Sequence, residues 1–284
     1  MIVFLSTQTD DAMLCRYQAL FLACFPASSK FTLETLKWLY KENPDGQVIG
    51  FDAFENGNLV AHYACIPAMV SIENMPVKAL LSLNTATHPK NQGKGLFTKL
   101  AEMTYQQATE QGFHSIYGVA NANSTPGFIR KLGFQLVAPL KAMIGIKQLG
   151  IDMTLAMNNA QFARIWSPAS LSWRCANKNN IIQSLIQHDR VTFHAKALGN
   201  LLPVYAELPK NICHLTTEYS QPISPLRLYL GLYPTAAHKT SMYGNIPNRL
   251  RPSPLNMIFR SLVKPNDKLN PNNIFFSFLD FDAY

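Results

Sequence analysis

The first chemical signal in the chain is a loop. In "HPKNQGKGLFTKL", residues 88–100, Gly93 and Gly95 stand one residue apart between a β-rich run, "ALLSLNTAT", and a helical one. Glycine lacks a Cβ and lets backbone N–H groups approach a ligand closely, and a helix start gathers free N–H groups at the positive end of a dipole. Together these features hold anions, pyrophosphate above all. Lys90, Lys94 and Lys99 add positive charge nearby. A Walker loop needs G-x-x-x-x-G-K-[ST], and a dinucleotide fingerprint needs G-x-G-x-x-G after the first strand with an acidic residue about twenty positions on. Residues 88–100 match neither pattern. An ordinary tight turn feeding a helix is the plainer alternative.

The elements around the loop follow from periodicity. "MIVFLSTQTDD" reads as an opening strand, and "DDAMLCRYQALFLACF" and "TLETLKWLYKENPDG" as helices, the second with Thr32 as N-cap and Glu34 in its first turn. β-rich runs broken at "ENGN" and "ENMP" predict a meander of about three strands. Leu96, Leu100 and Met103, widened by Phe97, Ala101 and Ala108, put an apolar stripe on a helix that stops near Gly112. "FHSIYGVAN" is then a strand, "STPGFIRKLG" a short helix with Pro126 in its first turn and Gly133 at its end, and "FQLVAPLKAMIGIK" another strand. The order β, α, α, β, β, β, α, β, α, β carries one helical crossover, so the strands on either side of it run parallel in a mixed sheet. Beyond residue 150 the signal weakens. "MTLAMNNAQFARIWSPASLSWRCANKNN" reads as mostly helical; "VTFHAKALGNLLPVYAELP", "ICHLTTEY" and "NNIFFSFLDFDAY" read as strands; "HKTSMYGNIPNRLRPSPLN" reads as loop.

Composition narrows the class. With 48% hydrophobic and 15% charged residues over 284 positions, the chain is a globular protein with room for one large domain or two modest ones. No apolar run approaches eighteen residues, which argues against a transmembrane helix, and the start lacks a basic segment followed by a cleavage site, so the expected location is cytoplasmic. Five scattered cysteines (Cys15, Cys24, Cys65, Cys175, Cys213) predict reduced thiols, with neither a disulfide framework nor a metal site. Net charge is +8, with 12 basic against 10 acidic residues in 1–150 and 13 against 7 in 151–284. The basic second half suits an anionic partner, and equally a solvated surface.

One strand beyond the loop comes "NANSTPGFIRKLGF", and here the sequence resembles the GNAT superfamily of N-acetyltransferases. Gln92, Gly93, Lys94 and Gly95 reproduce the start of that family's phosphate loop, with Phe97 where its last glycine falls, and Lys131, Leu132, Gly133 and Phe134 reproduce its "K-x-G-F" ending. The resemblance covers residues 1–148 and implies an α/β domain of that fold, followed at 149–284 by a smaller α+β unit, either separate in kind or a degenerate GNAT repeat. It implies acetyl-CoA as cosubstrate. The amides of Gln92, Gly93, Lys94, Gly95, Leu96, Phe97 and Thr98 would hold the pyrophosphate, Thr85, Ala86 and Thr87 would pair with the pantetheine arm, and Asn121, Asn123 or Ser124 would contact it from the neighbouring strand end. A deprotonated small-molecule amine would attack the thioester directly. A phosphorylated amino sugar or sugar nucleotide is the implied acceptor, with no membrane partner, no metal, and nucleic acid disfavoured.

The chain departs from the family at two places. Residues 79–87 hold no carboxylate to serve as base, and the usual acid tyrosine is Ile129. Substitutes are His62 on the neighbouring strand as a proton relay, Asn84 as holder of a mid-strand water, and Tyr117 as acid. Each has a structural alternative as a core or surface residue. Strand alternation puts His62 and Tyr63 on opposite faces, so the two cannot line one cleft. Two other functions stay open: a tandem transferase using aminoacyl-tRNA, which generally lacks the pyrophosphate loop, and a non-catalytic acyl-CoA-binding module, which the missing acid and base favour.

Overall fold

A computed structural model describes residues 1–197, 199–212, 224–247, 249 and 253–281. The first half follows the order read from the sequence: β1 (Ile2–Ser6), α1 (Asp11–Cys24), α2 (Leu33–Tyr40), β2 (Ile49–Glu55), β3 (Asn58–Ile72), β4 (Met75–Thr87), α3 (Leu96–Glu110), β5 (Ser115–Ala120), α4 (Thr125–Leu132), then β6 (Gln135–Pro139) and β7 (Lys141–Ile146). The last pair corrects the single strand expected over "FQLVAPLKAMIGIK", which breaks at Pro139 and Leu140. The second half contributes α5 (Met153–Asn158), β8 (Phe162–Arg164), α6 (Pro168–Cys175), β9 (Gln183–Ile186), β10 (Arg190–Ala197), β11 (Gly199–Pro209), β12 (Leu226–Leu232), β13 (Tyr243–Asn245), β14 (Asn256–Ser261) and β15 (Ile274–Ser277). Strand β8 interrupts the stretch read as helical, and β13 lies in the stretch read as loop. The strand expected over "ICHLTTEY" falls, after Ile212, outside the described residues, as does Cys213. Cys15, Cys24, Cys65 and Cys175 are free thiols.

Local chemistry explains the meander. The loops Asn56-Gly57 and Glu73-Asn74 join β2 to β3 and β3 to β4 with two residues each, and all four have positive φ (52°, 77°, 51° and 64°). Two-residue hairpins with that geometry match the twist of the strands they join. Thr32 caps α2 by accepting the Thr35 N–H. Gly133, at φ 65°, caps α4 in the left-handed conformation.

All the strands belong to one mixed sheet, ordered β6-β14-β5-β4-β3-β8-β15-β12-β11-β10-β9, with β2 on β3, β1 on β2, β7 on β12 and β13 on β7. The two chain halves exchange strands. β14 inserts between β5 and β6, and β7 pairs with β12. Trp38 and Trp173 lock the halves further, each indole N–H donating to the other residue's carbonyl at 3.0 Å with the rings stacked. A larger apolar core lies on the α1–α2 side of the sheet and continues into the second half, while a smaller one lies beneath α3 and α4.

Candidate functional site

The loop after β4 takes the shape its glycines require. Gly93 and Gly95 sit at φ 80° and 73°, a region that costs an L-residue about 1–2 kcal/mol. A Cβ at either would meet nothing within 4 Å, so the dihedral, and not crowding, selects glycine, and the space beside the loop is open. Helix α3 begins there with no side-chain cap, and the N–H groups of Gly93, Lys94, Gly95, Leu96, Phe97 and Thr98 donate to no described residue. Lys94 turns back to Glu55, Nζ to Oε1 3.0 Å, while Asn91 Nδ2 donates to Glu55 Oε2 at 2.8 Å. Those two bonds, Lys94's first, hold the Glu55 carboxyl below its usual range. They anchor the loop through side chains and leave those six amides without a described partner.

Strands β4 and β5 pair in parallel only from Ala79–Ser82 against Ser115–Gly118. Beyond Ser82 they part. Residues 83–87 pair with β3 on one side and offer an open edge on the other. A cleft of about 560 Å³ fills this gap. Thr85 and Thr87 line it from β4, Phe97 from α3, and Asn121, Asn123 and Ser124 from the end of β5. Ala86 does not line it, because its side chain is buried in the larger core. Asn121 is partly engaged already, since its Oδ1 accepts the N–H groups of Asn123 and Ser124 at 3.0 Å each. Leu96 is buried and anchors α3, whereas Gln92 is exposed.

Two proposed proton carriers stand elsewhere than expected. Tyr117 is wholly buried against Phe162 and Phe276, and its hydroxyl has no partner and does not line the cleft. Burial pushes its pKa up, so the role of acid is withdrawn from it. His62 also has no exposed surface and does not line the cleft. Its Nδ1–H donates to Asp52 Oδ1 at 2.6 Å, and its Nε2 lies 2.9 Å from the Tyr40 hydroxyl. Tyr17 donates to the other carboxylate oxygen at 2.6 Å, and burial first, then the Asp52 carboxylate, raises the Tyr17 pKa. Asn84 does line the cleft, and its Nδ2 donates to the Tyr40 hydroxyl at 3.1 Å.

A β-bulge explains where these groups point. Ala64 pairs with Leu83 and His62 with Ala86, so Asn84 and Thr85 together oppose Tyr63, and Asn84 takes φ 49°. Leu83 and Asn84 then both face the α1–α2 side, while Ser82 faces α3. On that opposite side Ser82 Oγ meets the Tyr63 hydroxyl at 2.8 Å, and Tyr63 meets the Tyr105 hydroxyl at 2.8 Å. Cys65 lies beside them, its thiol pushed up to about 12 by burial. Ser82, Tyr40, Asp52 and Tyr17 escape a reading of the sequence. Among the described residues no carboxylate, imidazole, phenol or thiol lines the cleft; hydroxyls, amides and the Lys30 ammonium supply its polar groups.

A glycine loop whose amides donate to no described residue thus opens a helix in an α/β protein, beside two parallel strands that part around a cleft. Residues 8–137 match the family model described as the acetyltransferase (GNAT) domain. None of the curated proteins matches the chain. Among solved structures it is similar to a conserved protein of unknown function from Enterococcus faecalis V583, described as a probable N-acyltransferase, with TM-score 0.59 and 10% identity over 92% of this chain and 73% of that one. A GCN5-related N-acetyltransferase from Anabaena variabilis gives TM-score 0.59 and 12% identity over 92% and 73%. Eis1 from Mycobacterium abscessus gives 0.57 and 11% over 92% and 74%. At these identities the likeness is one of fold, and it extends through the second half of the chain.

Proposed function

We propose that the protein transfers an acetyl group from acetyl-CoA to a primary amine. The observation that carries this reading is the run of six amides from Gly93 to Thr98 that donate to no described residue, with open space beside Gly93 and Gly95, next to a gap between parted strands. Those amides and the helix dipole suit a pyrophosphate. The open edge of residues 83–87 suits an extended amide-bearing arm, which would add to β4 as a further strand. Acetyl-CoA supplies the activated acyl group, so the chain needs no nucleophile of its own. Its work is alignment, a contribution of roughly 7–11 kcal/mol when two reactants are held in line. Ser82 Oγ, where the strands part and backed by Tyr63, is the hydroxyl best placed to hand a proton to the departing sulfur. Asn123 and Ser124 contact the arm from the far wall. The cytoplasm is the proposed compartment.

For the acceptor we take a small amine that carries a negative group, a phosphorylated amino sugar being the favoured case. Lys30 in the cleft wall supports it, as does the basic second half. A pure acyl-CoA-binding module is the second reading, favoured by the lack of any carboxylate, imidazole, phenol or thiol on the described cleft walls. Calorimetry with acetyl-CoA, followed by a thiol-release screen over amino sugars, their phosphates, polyamines and peptide amines, separates the two. Wild type is expected to bind and to release thiol with at least one amine. Gly93→Val with Gly95→Val is expected to lower acetyl-CoA affinity by about 100-fold or more, because two β-branched residues are forced to positive φ beside the diphosphate. No heat from wild type, together with indifference to the valines, would overturn the reading.

A further inference from the structure

Strand β4 carries at its bulge a side chain that the proposed reaction has not yet used. We infer that Asn84 presents its amide oxygen to the attacking amine, and that Tyr40, His62 and Asp52 are positioning residues that set this polarity from beneath the sheet. The inference rests on the transferase reading above and assigns the residues that hold its acceptor.

Asn84 stands at φ 49° in mid-strand, a conformation that Asn tolerates better than most side chains. The bulge thereby turns Asn84 toward α2 while leaving it at the cleft wall. Hydrogen-bond chemistry then gives the chain of groups a direction. The Asp52 carboxylate has only acceptors to offer, and it takes Nδ1–H of His62 on one oxygen and the Tyr17 hydroxyl on the other, both at 2.6 Å. With Nδ1 carrying the proton, we assign Nε2 as the acceptor and the Tyr40 hydroxyl, 2.9 Å away, as its donor. The Tyr40 oxygen in turn accepts Asn84 Nδ2–H at 3.1 Å. The amide nitrogen is thus turned toward the interior. Oδ1 is the opposite end of the same planar group, and no described residue donates to it. A carbonyl oxygen so placed takes an N–H of the acceptor and leaves the nitrogen lone pair free to point at the thioester.

The burial of the chain argues that it serves more than packing. Tyr17, Tyr40, Asp52 and His62 have no exposed surface. An ionisable pair in such a layer is often less stabilising than apolar residues of the same volume. Its end point is the one polar side chain on this flank of β4 that reaches the cleft.

Two variants test the inference without disturbing the fold. Asn84→Gly keeps the positive φ and deletes the amide, while Tyr40→Phe keeps the ring and deletes the link. With whichever amine of the screen releases thiol, Asn84→Gly is expected to lower acceptor kcat/KM by about 10- to 100-fold, the range for one lost contact that also aligns a reactant. Tyr40→Phe is expected to show a smaller loss of the same kind, and none when added to Asn84→Gly. Acetyl-CoA affinity should stay unchanged in Tyr40→Phe, whose side chain does not line the cleft. Imidazole ¹⁵N spectra of wild type at pH 8 should show His62 protonated at Nδ1 and bare at Nε2, with the Nε2 signal shifting in Tyr40→Phe; this reading needs no acceptor. Unchanged acceptor kinetics in Asn84→Gly, additive losses in the double variant, or the opposite tautomer would overturn the inference while leaving acetyl-CoA binding, and so the transferase reading, intact. Loss of the transferase reading would show separately, as wild type that binds no acetyl-CoA.

Discussion

The two flanks of β4 are built from different chemistry around the same cleft. Beneath α1 and α2 the polar groups form an ionisable chain, Tyr17–Asp52–His62–Tyr40, that ends at Asn84. Beneath α3 they are three hydroxyls, Tyr105, Tyr63 and Ser82, with the Cys65 thiol beside them. Both chains are buried and both end at the cleft wall, yet the bulge at Asn84 hands them to different places along it. The difference teaches that a strand at a parting of the sheet can serve two reactants, one through each face, when a single inserted residue breaks its alternation.

The sharpest way to break the comparison is to remove the one full negative charge. Asp52→Ala leaves a buried imidazole N–H and a buried phenol without their acceptor, two hydrogen bonds to a charged group at about 1.5–3 kcal/mol each. A fall in Tm of roughly 10 °C is expected, and a variant as stable as wild type would mean that the carboxylate is not holding the flank together.

Another buried carboxyl supplies the control. Among the described residues no imidazole or phenol hydrogen-bonds to Asp280. It accepts from the Ser277 N–H and Oγ, and Arg174 reaches past it to the carbonyls of Phe278, Leu279 and Phe281, the last of which borders the cleft. Burial raises its pKa from 3.8 to about 6 against the weaker pull of the Ser277 donors and Arg164. A carboxyl raised in the folded state binds its proton more tightly there than in the unfolded chain. Its contribution to stability is therefore full below pH 3.8 and is lost as pH rises through about 6. Across that window the loss is about 3 kcal/mol. His194, lowered by burial to about 4, acts with the opposite sign over an overlapping range, so the slope must be read as a difference between proteins. Urea midpoints at pH 4.5 and 6.5 should show Asp280→Asn gaining relative to wild type at the higher pH. Parallel slopes would sink the assignment.

Much of the site was legible because it is local. The glycines, the helix behind them, the parallel crossover and the "KLGF" turn are each written within a few residues, and hairpin dipeptides such as Asn56-Gly57 announce themselves. What escaped was set by irregularities. Counted outward from Asn56-Gly57, an unbroken ladder pairs Asp52 with Ala61; a one-residue shift at Ala53/Phe54 pairs it with His62 instead. The bulge on β4 likewise puts Asn84 on the flank opposite Ser82, where alternation would have kept them together. Tyr117 looked available because β5 flanks the cleft, but strands from the second half of the chain cover it with Phe162 and Phe276. Pairings across more than a hundred residues leave no short-range trace, so the second half was the least readable.

The hydroxyl flank should respond least. Tyr63→Phe keeps the ring stacked edge-on to Phe97 and Tyr105 and removes only the oxygen between two hydroxyls. Tyr105 and Ser82 can each still donate elsewhere or to water, so the cost is that of one neutral buried hydrogen bond, about 1–2 kcal/mol. Ser82→Ala, at the half-buried cleft wall, should cost less still. If that oxygen hands a proton to the departing sulfur, thiol release falls by about 10²-fold or more in Ser82→Ala, while chemical denaturation barely registers the change. Equal and small effects of Ser82→Ala on stability and on rate would make this flank a packing device, and the asymmetry across β4 would then lie wholly on the side of Asn84.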